Sequence, residues 1–195
     1  MFQMDNSKEP QSEIIEKIAG HYKAIIELIG EDPEREGLVK TPQRAAKALY
    51  YATRGYRQDL ESVIHGALFH TDESQLVVVK DVEFYSLCEH HVLPFFGHVS
   101  VGYLPGEKIV GLSKIARIVD MFARRLQVQE RFTSELADAL TEALGARGVI
   151  VRAEARHLCM AMRGVQKQDS TTVTLATTGA MKTDASLRAQ FFSML

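Results

Sequence analysis

A chain of 195 residues, 46% hydrophobic and 25% charged, has the material for one domain with a real core and a smaller appendage. Its formal net charge of −2 leaves no global basic footprint for nucleic acid, so an anionic ligand needs a local cluster of Lys and Arg. No apolar run approaches the roughly 20 residues that cross a bilayer, and Met1 to Pro10 hold no apolar core of a secretory signal. The expected location is therefore the cytoplasm, where Cys88 and Cys159 remain reduced thiols.

Helical spacing organises residues 1–70, and mixed patterning organises 71–195. Ile14, Ile15, Ile18, Tyr22, Ile25, Ile26 and Ile29 share one helical face, and Gly30 ends that run. Thr41-Pro42 reads as a helix start with Thr41 as cap, running to about Arg54. A short helix is expected after Asp59. From Leu76 to Tyr85 the chain is rich in strand formers. A second strand alternates through Val99, Val101 and Tyr103 and ends at Pro105-Gly106. Two helices follow, about Ser113 to Arg125 and about Glu130 to Leu144. Strands at about Gly148 to Arg156 and Thr171 to Thr177 precede a last helix from about Asp184 to Ser193. This order predicts an α+β domain with an antiparallel sheet covered by helices.

The two cysteines of the chain each lie within three residues of histidines, in Cys88-Glu89-His90-His91 and His157-Leu158-Cys159. Thiolate and imidazole are preferred zinc ligands, and a site with three protein ligands leaves one position for water, the catalytic arrangement. In a strand, residues two apart share a face. Val149, Val151, Ala153 and Ala155 form an apolar face that His157 and Cys159 would continue inward. Cys88, His91 and Cys159 make a plausible ligand set, with His90 and His157 free to handle protons; sets using His90 or His157 as the ligand are equally compatible with the spacing.

Anion-binding candidates lie elsewhere. Gly111-Leu112-Ser113-Lys114 opens a helix whose N-terminus, with Ser113 as cap, suits phosphate. Lys114 and Arg117 share the face beside it. The segment is not a P-loop, because no Lys-Ser/Thr follows the glycine. Arg163 sits just beyond Cys159, and Arg44 lies in the first turn of the Thr41 helix; either reads equally as a solvated side chain. Gln129-Glu130-Arg131 falls at a break between helices, where Glu130 serves as a cap or as an acceptor for a donor-rich ligand edge.

These segments, together with Arg117-Ile118-Val119, Arg124-Arg125-Leu126-Gln127-Val128-Gln129-Glu130-Arg131 and Met162-Arg163-Gly164-Val165, resemble GTP cyclohydrolase I in order and spacing from about Gly30 to about Thr174. The resemblance implies the T-fold: an antiparallel sheet with helices on one face, plus an N-terminal helical extension. It also implies sheets joined into a barrel in a homodecamer of two pentameric rings, with active sites between subunits. By resemblance, Cys88, His91 and Cys159 hold zinc, and Glu130, aided by Gln129, anchors the guanine of GTP. Ser113, Lys114, Arg117 and Arg163 line the triphosphate and ribose region, with Arg44 supplied by a neighbouring subunit. His90, His157 and Ser113 handle protons. The implied reaction turns GTP and water into 7,8-dihydroneopterin triphosphate and formate. Residues 175–181 lack the expected hydrophobic pattern, and the first ~12 residues fall outside the match and are expected to be flexible.

Two other functions compete with this one. The first is a related enzyme on the same scaffold acting on another purine or pterin. The second is a non-catalytic ring protein with a structural metal. A zinc nucleobase deaminase is disfavoured by the missing H-x-E and P-C-x-x-C elements.

Overall fold

The computed structural model describes residues 10–72 and 74–195. In chain order it holds α1 (Gln11–Leu28), α2 (Thr41–Ala52), a 3₁₀ turn at Arg54–Arg57, α3 (Leu60–Ile64), β1 (Leu68–His70), β2 (Val77–Cys88) and β3 (Pro94–Leu104). Then come β4 (Lys108–Val110), α4 (Leu112–Ala123), β5 (Leu126–Gln127), α5 (Gln129–Leu144), β6 (Gly148–His157), α6 (Leu158–Ala161), β7 (Thr172–Thr177), α7 (Gly179–Thr183) and α8 (Ala185–Ser193). The expected α+β class holds. The flexible start expected of the first ~12 residues falls on residues 1–9, outside the described residues, and on Pro10, Gln11 and Ser12, the last two of which open α1.

The main sheet has the order β5-β2-β3-β6-β7. It is antiparallel throughout except for the two-residue parallel pairing of β5 with the end of β2. On one face, Phe84, Phe95, Val99, Val101, Tyr103, Val149, Val151, Ala153 and Ala155 are buried. They meet Ile115, Ile118, Val119 and Phe122 of α4, and Phe132, Leu136, Leu140 and Leu144 of α5, in one core. The helical stripes and the period-two strand faces recognised in the sequence are these two halves of one interior. The opposite face is polar over most of its area, but α7 and α8 cover its far end, where Met181 and Phe191 pack on Ile150 and Leu104. Helices thus occupy more than one face. The α1–α2 pair has its own small core of Ile15, Ala19 and Ala46.

Several boundaries differ from expectation. Thr41 is not a cap: Lys40 holds that position, and Thr41 lies inside α2. Ser113 is likewise inside α4, which starts after Gly111. Glu130 lies in the first turn of α5, whose cap position is Val128. β3 begins at Pro94, five residues before Val99, where the alternation was read. The last helix expected from about Asp184 to Ser193 is α8, capped by the Asp184 carboxylate, which accepts from the Ser186 and Leu187 amides; the short α7 before it carried no signal in the sequence. β1, β4 and β5 span only two or three residues and carry no readable period.

Candidate metal centre and active site

Cys88 ends β2 and is buried. A tight turn then returns the chain into β3. The Leu93 carbonyl accepts from the Cys88 amide at 2.8 Å, and the Cys88 carbonyl accepts from the Val92 amide at 2.8 Å. Val92 sits at φ +53°, a left-handed conformation that β-branched residues rarely adopt. That turn brings His91 back over Cys88, with Nδ1 3.7 Å from Sγ. β6 runs alongside β3 and delivers Cys159 from the opposite side. The strand ends at His157, however, and Cys159 rides on the first turn of α6, so the expected continuation of the strand phase stops one step early.

The ligand atoms of Cys88, His91 and Cys159 lie within 4.8 Å of one another. A tetrahedral zinc with Zn–S of about 2.3 Å and Zn–N of about 2.0 Å separates its ligand atoms by roughly 3.6–3.8 Å, so this set fits the metal. Burial, and then the neighbouring Cys88, push the Cys159 thiol up, while Arg163 opposes them. A thiol held back from ionising in this way gains most from a cation that takes it as the thiolate. Among the described residues, no other group of three such side chains converges.

His90 and His157 are close to the triad residues in the chain. His90 is exposed, with Nδ1 3.8 Å from Cys88 Sγ and Nε2 3.8 Å from a Glu89 carboxylate oxygen. Glu89 also pairs with Arg131 of α5. Arg131 Nη2 donates to the Leu126 carbonyl at 3.1 Å, and its Nε donates to Gln127 Oε1 at 3.0 Å. This network, which the sequence did not signal, ties the metal turn to the start of α5. His157 stacks on Phe95 at 4.6 Å between ring centres. Burial lowers its pKa, and the Glu130 carboxylate partly offsets that. Its Nε2 lies 2.8 Å from Gln129 Oε1.

The remaining predicted residues divide between the near and the far end of the sheet. Glu130, on the exposed first turn of α5, and Arg163, just past α6, are within electrostatic reach of His157 and Cys159. Gln129 is buried and turned inward, with both ends of its amide hydrogen-bonded inside the protein. Ser113, Lys114 and Arg117 open α4 at the end of the sheet away from the triad. Lys114 Nζ donates to the Val63 carbonyl at 2.9 Å, and Gly111 bonds to Ala67. Only the other end of α4 approaches the metal turn, through β5 beside Cys88. From Lys114 to Ala123 the helix spans about 14 Å. Arg44 is exposed on α2.

The profile of the GTP cyclohydrolase I family matches residues 18–195. The chain belongs to the GTP cyclohydrolase I family. A relative named GTP cyclohydrolase 1 2, from Pseudomonas aeruginosa, is 53% identical over 175 residues, covering 90% of this chain and 97% of its own length. GTP cyclohydrolase 1 of Deinococcus radiodurans is 58% identical over 165 residues, covering 85% of this chain and 76% of its own. GTP cyclohydrolase 1 of Drosophila melanogaster is 49% identical over 193 residues, which span 99% of this chain and 60% of that protein. The family match extends through residues 175–181, which the sequence pattern had set apart, and β7 pairs with β6 as far as Thr177.

Proposed function

We propose that this protein is a zinc-dependent GTP cyclohydrolase converting GTP and water to 7,8-dihydroneopterin triphosphate and formate. The observation that carries the reading is the convergence of Cys88, His91 and Cys159 beside His157 and the Glu130 turn, in a chain of this family. Cys88, His91 and Cys159 would hold the metal. Bound zinc is a Lewis acid that lowers the pKa of water from 15.7 to about 7. Glu130 presents two carboxylate oxygens, which match the parallel ring N–H and amino donors of guanine. His157 moves a proton as the imidazole ring of the base opens, and His90, exposed beside Cys88, serves the later ribose steps with Ser113. Arg163 meets the ribose and phosphate side of the ligand.

The distance along α4 favours a site shared between copies. Ser113, Lys114 and Arg117 would serve a neighbour's metal, and Arg44 would come from another subunit. Both long edges of the sheet are available for such joining, which fits a T-fold barrel in a homodecamer. In that reading residues 1–70 are the helical extension and 71–195 the catalytic unit. Thiols that must stay reduced to hold metal fit the cytoplasm. No helix among the described residues is long and apolar enough to cross a membrane.

The test is anaerobic incubation of zinc-loaded protein with GTP, with formate and oxidised neopterin both measured. Equal amounts of each, abolished by a chelator, are expected. Formate alone would limit the reaction to ring opening, and neither product in zinc-replete protein would overturn the assignment. Cys159→Ser is expected to lose metal and activity together; a variant that keeps full activity would overturn the metal assignment.

A further inference from the structure

Gln129 is 1% exposed at the first position of α5, where a helix ordinarily places a solvated residue. Its Nε2 lies 3.1 Å from the Ala153 carbonyl, 2.9 Å from the Thr172 carbonyl and 3.2 Å from Thr174 Oγ1. Turning the amide over would set Oε1 against two carbonyl oxygens, neither of which can donate. The amide orientation is therefore fixed by β6 and β7. Oε1 is left facing His157 Nε2 at 2.8 Å. A carbonyl oxygen only accepts, so the proton in that bond belongs to His157 Nε2. Neutral imidazole protonated at Nε2 has its lone pair at Nδ1. Phe95, stacked at 4.6 Å and 4° from parallel, fixes the ring plane.

We infer that Gln129 is a positioning residue that sets the tautomer of His157, holding the proton at Nε2 and leaving Nδ1 bare. What the bare nitrogen accomplishes rests on the proposed cyclohydrolase reaction; the tautomer does not. The inference also moves Gln129 from contact with guanine to support of a neighbouring side chain. A residue of this kind changes turnover without changing how substrate is held.

Two measurements test it. In the first, Gln129→Met keeps the length and removes the amide. A loss of about 10- to 100-fold in kcat with KM unchanged is expected, the scale of outer-shell partners of an active group. A raised KM with kcat intact would overturn the inference and return Gln129 to the substrate. Thr174→Val removes one of the three acceptors while leaving Gln129 in place. A smaller fall in kcat in the same direction is expected, and this variant carries the kinetic test if Gln129→Met fails to fold. The second measurement does not depend on turnover. Solid-state ¹⁵N spectra of histidine-labelled, zinc-loaded protein at pH 8, with the His157 signals assigned by difference from His157→Asn, are expected to show a protonated Nε2 and a bare Nδ1. A protonated Nδ1 would overturn the inference, whether or not GTP proves to be the substrate.

Discussion

Val92 holds a left-handed conformation, at φ +53°, in a turn that places His91 over Cys88. Backbone strain of this kind, about 1–3 kcal/mol, persists where surrounding structure enforces it, and here the two hydrogen bonds between Cys88 and residues 92 and 93 do so. Asn tolerates that region far better than Val. Val92→Asn is expected to raise the melting temperature of metal-free protein, and a lower value in thermal unfolding would show that the turn is not strained. Glu130→Gln is expected to raise KM for GTP by about tenfold, because an amide cannot accept two donors. An unchanged KM would remove Glu130 from the guanine site. At this scale the sequence was informative where chemistry is scarce. Cys88 and Cys159 are the chain's two cysteines, so their neighbourhood announced a metal. Spacing could not separate His91 from His90, because the choice depends on the backbone of one turn. Nor could it reveal the role of Gln129, whose partners Ala153, Thr172 and Thr174 lie on strands remote in the chain.

Gly55 joins the 3₁₀ turn to the end of α4, its amide donating to the Arg124 carbonyl at 2.9 Å beside the Arg54–Asp120 ion pair. A Cβ there would press into the Met121 carbonyl and stand 2.7 Å from that of Arg124. Overpacking against backbone typically costs about 1–3 kcal/mol. Gly55→Ala is therefore expected to lower the melting temperature by several degrees, roughly 2–4 °C per kcal/mol at this size; no change would mean the turn moves freely against α4. Long elements were legible from periodicity, because α1, α4 and α5 each bury one stripe and β6 buries alternate residues. Their starts were less so. Thr41 and Ser113 have the chemistry of caps, yet Lys40 and Gly111 occupy the cap positions, since residue identity does not by itself fix the backbone angles that end a helix.

The sheet presents two unequal edges and one face covered only at its far end. β7 is an outer strand with Val173 and Leu175 exposed, and β2 is shielded by β5 only at Leu87 and Cys88. Open edges of this kind invite another strand. Joined to the remoteness of Lys114 from the triad, they give a test of the proposed sharing of the site between copies. Lys114→Ala and Cys159→Ser are each expected to be inactive alone. Co-expressed in one assembly, they are expected to recover activity, because some interfaces pair an intact metal half with an intact cation half. Mixed assemblies that remain inactive would place the whole site within one chain.

The ligand triad also joins chain segments that are far apart, since residue 88 and residue 159 bracket α4, α5 and most of the sheet. A metal held at that point is a clasp on a long loop, and the entropy of closing such a loop grows only slowly with its length. Because the unfolded chain offers no preformed site, free metal at a thousand times its dissociation constant adds about 4 kcal/mol to the folded state. Starving the protein of metal would therefore do more than silence it. The population of opened chains available to proteases would rise, and metal supply would govern how much of this protein persists as well as how fast each copy works.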